Sequence, residues 1–179
     1  SLYLELAADV KIEPEKREAS LQQCAEQAGK IRFLSDAMLK VMRLESGLIA
    51  VKRVPENVVS TIQAAVAAVR PAAGAKGLEL YVKVPDSLIL AHDPLWTKEA
   101  LLNLLDNAIK YTEKGHLEVS AEQGAIYTSI HVADTGTPLE PSEYAKVFGR
   151  FYRVRRAGQY TVEGTGLGLS IAREIMRQQ

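Results

Sequence analysis

A single cysteine, Cys24, leaves this chain without a partner for an internal disulfide, so sulfur staples nothing and a reducing compartment is expected. An excess of charge of either sign is also missing. The 22 Lys and Arg balance the 22 Asp and Glu, so no global field favours nucleic acid or an anionic membrane, and any anion site must be local. No stretch approaches the roughly 18 uninterrupted apolar residues of a membrane span, and nothing at the start resembles a signal peptide. Internal repeats and low-complexity segments are absent. These absences together predict a soluble, cytoplasmic piece that makes no membrane contact. The chain opens on Ser1 rather than methionine, which raises the expectation that it belongs to something longer.

The 179 residues are enough for one sizeable core, or one domain with a helical appendage. The first stretch reads as the end of one helix, a turn near Glu13-Pro14, and a second helix running without proline from about residue 15 to Ser46, where Gly47 supplies a stop. Leu21, Cys24, Ala28, Ile31, Ser35, Met38 and Met42 follow heptad spacing, widened by Leu34 and Val41. Such a stripe needs a partner, and an antiparallel hairpin paired with a copy of itself is the simplest one. The expected boundary therefore separates a helical hairpin, 1–47, from a second domain, 48–179. In the second domain "LIAVKRV" predicts a strand, Pro55 to Arg70 a helix, "PAAGAKG" a loop, and "LELYVKV" and "SLILAHD" strands. Asp93-Pro94 opens a further helix. "GHLEVSAE" and "AIYTSIHVAD" predict a hairpin around Gly124, "EPSEYAKVF" a short helix, and "GLGLSIAREIMRQQ" a terminal helix. Strands in one layer and helices in the other define an α+β class.

Four segments carry chemistry. In "NLLDNAIKYT", Asn103, Asn107, Lys110 and Tyr111 fall within an arc of about 100° on a helical wheel, while Leu101, Leu105, Ala108 and Ile109 take the other side. A neutral amide oxygen can ligate a hard cation such as Mg²⁺ without repelling a phosphate chain, and Lys110 can meet a phosphate. An ordinary amphipathic helix with a solvated face satisfies the same pattern. In "SIHVADTGTPL" a strand delivers Asp134 next to Gly136, a geometry that suits accepting from a ligand's amino group or making a plain turn. "GTGLGLSIAREI" places Gly164, Gly166 and Gly168 at the start of a helix, where phosphates bind. It fits neither usual Gly-rich nucleotide fold. The dinucleotide fingerprint would need glycine at Leu169, and no Walker A Gly-Lys-Ser/Thr exists. "KVFGRFYRVRR" interleaves aromatics with Arg150, Arg153, Arg155 and Arg156, and suits arginines reaching phosphates better than a nucleic-acid surface.

The order and spacing of these pieces resemble the catalytic, ATP-binding domain of two-component sensor histidine kinases, within the superfamily that includes Hsp90, MutL and type II topoisomerases. "NLLDNAIKYT" looks like the N box, "DTGTPL" the G1 box, "FGRFYR" the F box and "GTGLGLS" the G2 box. The resemblance implies a two-layer α/β sandwich of the Bergerat ATP-binding type, preceded by a long helix of a dimeric bundle. It implies that Asn107 ligates Mg²⁺, with Asn103 beside it and Lys110 on the phosphates. Tyr111 would lie against adenine and Asp134 would accept from its amino group beside Gly136. Residues 148–165 would form an ATP lid from which Arg150 and Arg153 reach the phosphates. Gly164, Thr165, Gly166, Leu167 and Gly168 would form its glycine-rich hinge and complete the nucleotide set. Implied partners are ATP, a second copy through the N-terminal helices, and a response-regulator receiver domain, with the parent protein anchored in a membrane and this part on the cytoplasmic side.

Three departures stand out. Pro138 occupies the place of a second G1 glycine, the family's usual strands after the last helix are not present, and no phosphoacceptor histidine motif occurs. His92, His116 and His131 read as structural or exposed, so the acceptor is expected upstream of Ser1. Pro138 keeps open a degenerate module that senses ATP or a partner without phosphotransfer.

Overall fold

The computed structural model describes residues 14–47, 50–154 and 164–179. The chain divides into two compact units, Ser1–Met42 and Arg43–Gln179.

The first unit is built on helix α1 (Pro14–Glu45), unbroken because its first proline sits at the start and its stop signal, Gly47, adopts the left-handed φ of 68° just past the end. Much of the heptad stripe is uncovered: Ile31 is 67% exposed, and Leu21, Met38 and Met42 are each about half exposed.

The second unit carries β1 (Val54–Asn57), α2 (Val58–Ala75), β2 (Glu79–Lys83), β3 (Ile89–His92), α3 (Pro94–Tyr111), β4 (His116–Gln123), β5 (Thr128–Asp134), a 3-10 turn (Pro141–Glu143) and α4 (Gly168–Gln178). One sheet has the order β2-β4-β5. Its first pair is parallel, with Leu80 opposite Leu117, and its second is antiparallel, with Val119 opposite Val132. A parallel pair needs a crossover, and α3 lies within it. β1 and β3 form a separate antiparallel ribbon, with Val54 opposite His92. Helix α3 packs between α2 and α4 and touches β5. The α2 and α3 faces meet the sheet in a core of Ile62, Val66, Leu105, Leu117 and Val119. This is the α+β, two-layer arrangement read from the sequence.

Three elements differ from the sequence reading. The strand expected at 48–54 lies later, at β1, because pairing with β3 and the Asn57 cap select it: Asn57 Oδ1 accepts from Val59 N at 3.2 Å and Leu88 N at 3.0 Å. Helix α2 runs through Pro71 to Ala75 instead of ending at Arg70. Pro71 is on the exposed side, while Ala73, 1% exposed, anchors the last turn in the core. "EPSEYAKVF" makes only the 3-10 turn and successive turns, since so short a segment cannot sustain a helix without deep packing. Among the described residues α2 alone is long and apolar enough to cross a membrane by length and composition. Its Val58, Ile62 and Ala65 are wholly buried in the protein's own core.

Candidate functional site

Helix α3 is fixed at its start by Asp93, whose Oδ1 accepts from Leu95 N and Trp96 N at 3.1 and 3.2 Å while Oδ2 accepts from Lys52 N at 2.9 Å. At its other end Lys76 Nζ donates to the carbonyls of Ile109 and Lys110 at 2.6 and 3.0 Å, a cation on the negative end of the helix. Leu101, Leu105, Ala108 and Ile109 are buried, whereas Asn103, Asn107 and Lys110 are half-buried and Tyr111 is exposed. The amide stripe is therefore surplus to the core, and one edge of it lies open.

Two other elements close on this stripe. Asn103 Nδ2 donates back to Glu99 O at 2.8 Å, and its Oδ1 lies against Gly168, where an added Cβ would be only 3.0 Å away. Gly168 begins α4, so the positive end of that helix meets the first asparagine. Nine residues along, two and a half helical turns or about 13.5 Å by the helical rise, Thr112 Oγ1 donates to Asp134 Oδ1 at 3.2 Å, and Gly136 N donates to the same oxygen at 2.8 Å. A Cβ on Gly136 would stand 2.6 Å from Tyr111 O and 2.7 Å from Asp134 Oδ1, so only glycine fits. Asn107 lies one turn from each end. A depression of about 450 Å³, lined by Glu113, Lys114, Thr135, Gly136, Thr137 and Pro138, adjoins the Asp134 end. Another of about 440 Å³, near Gln63, Arg70 and Val84, contains none of these residues.

Gly166, at φ 70°, presses on the backbone of Phe151 and Tyr152, with an added Cβ 2.7 Å from Phe151 C. Thr165 Oγ1 accepts from Leu167 N at 3.3 Å, and Leu167 is buried at the start of α4, while Gly164 is exposed. The Tyr152 hydroxyl donates to Glu143 Oε2, and Lys146 Nζ lies 3.3 Å from Oε1 of the same carboxylate. The tyrosine's hydrogen bond, more than Lys146, holds the Glu143 carboxyl below its usual range against an opposing effect of burial, and the same bond pushes the Tyr152 phenol up.

Of the residues expected in the site, Asn103 and Gly168 meet directly, Tyr111 and Asp134 meet through Gly136, and Asn107 lies between them. Lys110 is on the neighbouring edge, with Nζ 2.5 Å from Asp106 Oδ2. Arg150 and Arg153 flank Tyr152. The middle of the expected lid, including Arg155 and Arg156, lies outside the described residues. The histidines are placed as expected. His92, 2% exposed, bonds Thr61 and the Leu90 carbonyl, His116 stands edge-on to Tyr81, and His131 is exposed near Glu122. Sequence reading missed Thr112 and Lys76. Thr112 ends the quoted "NLLDNAIKYT", but its chemistry depends on a strand 22 residues on, and nothing in the local pattern marks Lys76.

Residues 92–179 match the family model described as "Histidine kinase-, DNA gyrase B-, and HSP90-like ATPase". The chain is 29% identical over 159 residues to the signal transduction histidine-protein kinase BaeS of Escherichia coli K12, covering 88% of this chain and 33% of BaeS. It is 26% identical over 178 residues to the sensor protein SrrB of Staphylococcus aureus N315, covering 98% of this chain and 30% of SrrB. The chain thus spans about a third of the length of these curated relatives. Its fold matches that of full-length ShkA, solved in complex with AMPPNP, with a TM-score of 0.74 at 24% identity over 99% of this chain and 37% of that one. Residues 92–179 thus resemble the ATPase domain of histidine kinases, DNA gyrase B and HSP90, and the chain as a whole is similar to about a third of two sensor kinases.

Proposed function

We propose that this chain is the kinase core of a two-component sensor histidine kinase. It binds ATP with Mg²⁺ and presents the γ-phosphate to a histidine outside residues 1–179, for relay to an aspartate on a response-regulator receiver domain. The observation that carries this reading is the half-open amide stripe of α3, bounded by the Asp134–Gly136 turn at one end and the Gly168 start of α4 at the other. Asp134 accepts the adenine amino group and Tyr111 covers the ring. Asn103, Asn107 and Lys110 line the phosphate path, with Arg150, Arg153 and the Gly164–Thr165–Gly166–Leu167–Gly168 turn on its far side. The work asked of these groups is positioning and charge stabilisation.

The donor set suits Mg²⁺. Among the described residues no cluster of three or more His, Cys, Asp or Glu could cage a metal. An ion held by the Asn107 amide, phosphate oxygens and water is the usual habit of Mg²⁺ beside a nucleotide. When bound it would neutralise phosphate charge. Release of Lys110 from Asp106 would free its ammonium for the phosphates.

Residues 1–47 serve in this reading as part of a dimerisation and phosphotransfer hairpin, supported by the uncovered Leu21, Ile31, Met38 and Met42, and residues 48–179 as the catalytic domain. The likeness to sensor kinases supports a cytoplasmic position for this part. Calorimetric titration with a non-hydrolysable ATP analogue, with and without Mg²⁺, tests the proposal on the wild type, Asn107→Ala and Asp134→Ala. Mg²⁺-dependent binding weakened by both substitutions is expected. A folded wild type that binds no analogue overturns it.

A further inference from the structure

We infer that Thr112 is a specificity-determining positioning residue: it assigns the two oxygens of Asp134 to different tasks, and so makes the site select a purine with an amino rather than an oxo group at position 6. This rests on the nucleotide-binding reading above. Thr112 is 0% exposed, so its hydroxyl cannot touch a ligand and acts only through its neighbours. Its Oγ1 donates to Asp134 Oδ1, which also accepts Gly136 N–H. The same oxygen is crowded by the Gly136 backbone, with Tyr111 O and Thr112 Oγ1 around the space a Cβ would take. Two donors therefore occupy Oδ1 on its protein side.

No donor reaches Oδ2 among the described residues, and Asp134 is exposed. A carboxylate held in this way offers a base one oriented acceptor and no donor. A 6-amino purine donates to it. A 6-oxo purine sets one acceptor against another, which leaves both without a partner and is penalised more than a missing contact. Without the Thr112 hydroxyl the carboxylate loses one of its two anchors and can rotate, blurring that distinction. Serine keeps the hydroxyl and should keep the selectivity.

The test is calorimetric titration of the whole chain with ADP and with inosine diphosphate, which differ at the 6-position. Wild-type protein that binds neither fails the nucleotide-binding reading itself, independently of Thr112. Given wild-type preference for ADP, Thr112→Val is expected to lower the ADP-to-IDP affinity ratio about tenfold, the worth of one such hydrogen bond, while Thr112→Ser retains the wild-type ratio. A folded Thr112→Val protein with the wild-type ratio overturns the inference. Should Thr112→Val not fold, Asp134→Asn decides. With Thr112 and Gly136 both donating to Oδ1, the new amide must turn its NH₂ toward the base, so preference should invert toward IDP. Retained ADP preference, or a ratio near one, overturns the inference.

Discussion

Phe151 N donates to Gly166 O at 2.9 Å, and both residues hold left-handed backbone, φ 60° and 70°. The residues on either side of 155–163 are thereby anchored to each other, at a point where Arg153 and Thr165 lie close in sequence to the contact. A left-handed φ is strained for Phe151, and a strained residue persists only where its surroundings over-determine it. Here they are the Gly166 contact and the adjacent Tyr152–Glu143 bond.

Gly166→Ala should separate the two segments. The methyl would meet backbone at 2.7 Å, which cannot move as a side-chain tip can, and the left-handed φ costs a non-glycine residue about 1–2 kcal/mol. A lowered melting temperature and weakened binding of a non-hydrolysable ATP analogue are expected. A variant with wild-type melting and wild-type affinity would show that the contact is dispensable.

The Lys110–Asp106 pair separates stability from function. Exposed i, i+4 pairs contribute about 0.3–0.5 kcal/mol, so Lys110→Ala should scarcely change denaturant unfolding. Its effect should instead appear in triphosphate affinity, with Asp106→Ala, which frees the lysine, leaving affinity equal or improved. Loss of affinity in Asp106→Ala equal to that in Lys110→Ala would assign the pair a structural role only.

The Tyr152–Glu143 bond predicts a pH dependence of stability. The Glu143 carboxyl is depressed below 4.5 by the tyrosine's hydrogen bond, so its contribution is present above that value and is lost as pH falls through the depressed pKa. Tyr152 is raised above 10.0 by the same bond, so its contribution is present below 10.0 and is lost as pH rises through the raised pKa. Melting curves of wild type and Tyr152→Phe should differ by a constant amount through the neutral range and converge at both extremes. A difference that varies between pH 6 and 8 would point to another titrating group.

Leu105 is 0% exposed and faces the core on the same helix whose opposite side carries the asparagines. Leu105→Ala should destabilise by about 2–5 kcal/mol. Asn107→Ala, half-exposed on the other face, should leave unfolding nearly unchanged while nucleotide affinity drops. Equal effects of both on stability would contradict the division of α3 into a core face and a ligand face.

Much of the site was legible because helical periodicity links neighbours in sequence to one face in space. The arc holding Asn103, Asn107, Lys110 and Tyr111, the Asp93-Pro94 start and the Gly124 hairpin are local patterns, and each appears in the structure. The length of α2 was not legible, because Pro71 reads as a stop unless one knows that Ala73 is anchored beneath it. Strand β1 was misplaced for a related reason: its register depends on β3, more than thirty residues away in the chain.

By itself the sequence determined the α+β class, the helix that carries the amide stripe, and the order of the four motifs, since spacing, capping and glycine placement act over a few residues. Tertiary structure alone decided that Thr112 serves Asp134, that Lys76 caps α3, that Lys110 rests on Asp106 and that Gly136 and Gly166 admit no Cβ. Apart from the Lys110 pair, these are contacts between distant segments, made at ångström tolerances when helix, strand and turn close on one another. Composition and periodicity carry no record of which atoms meet there.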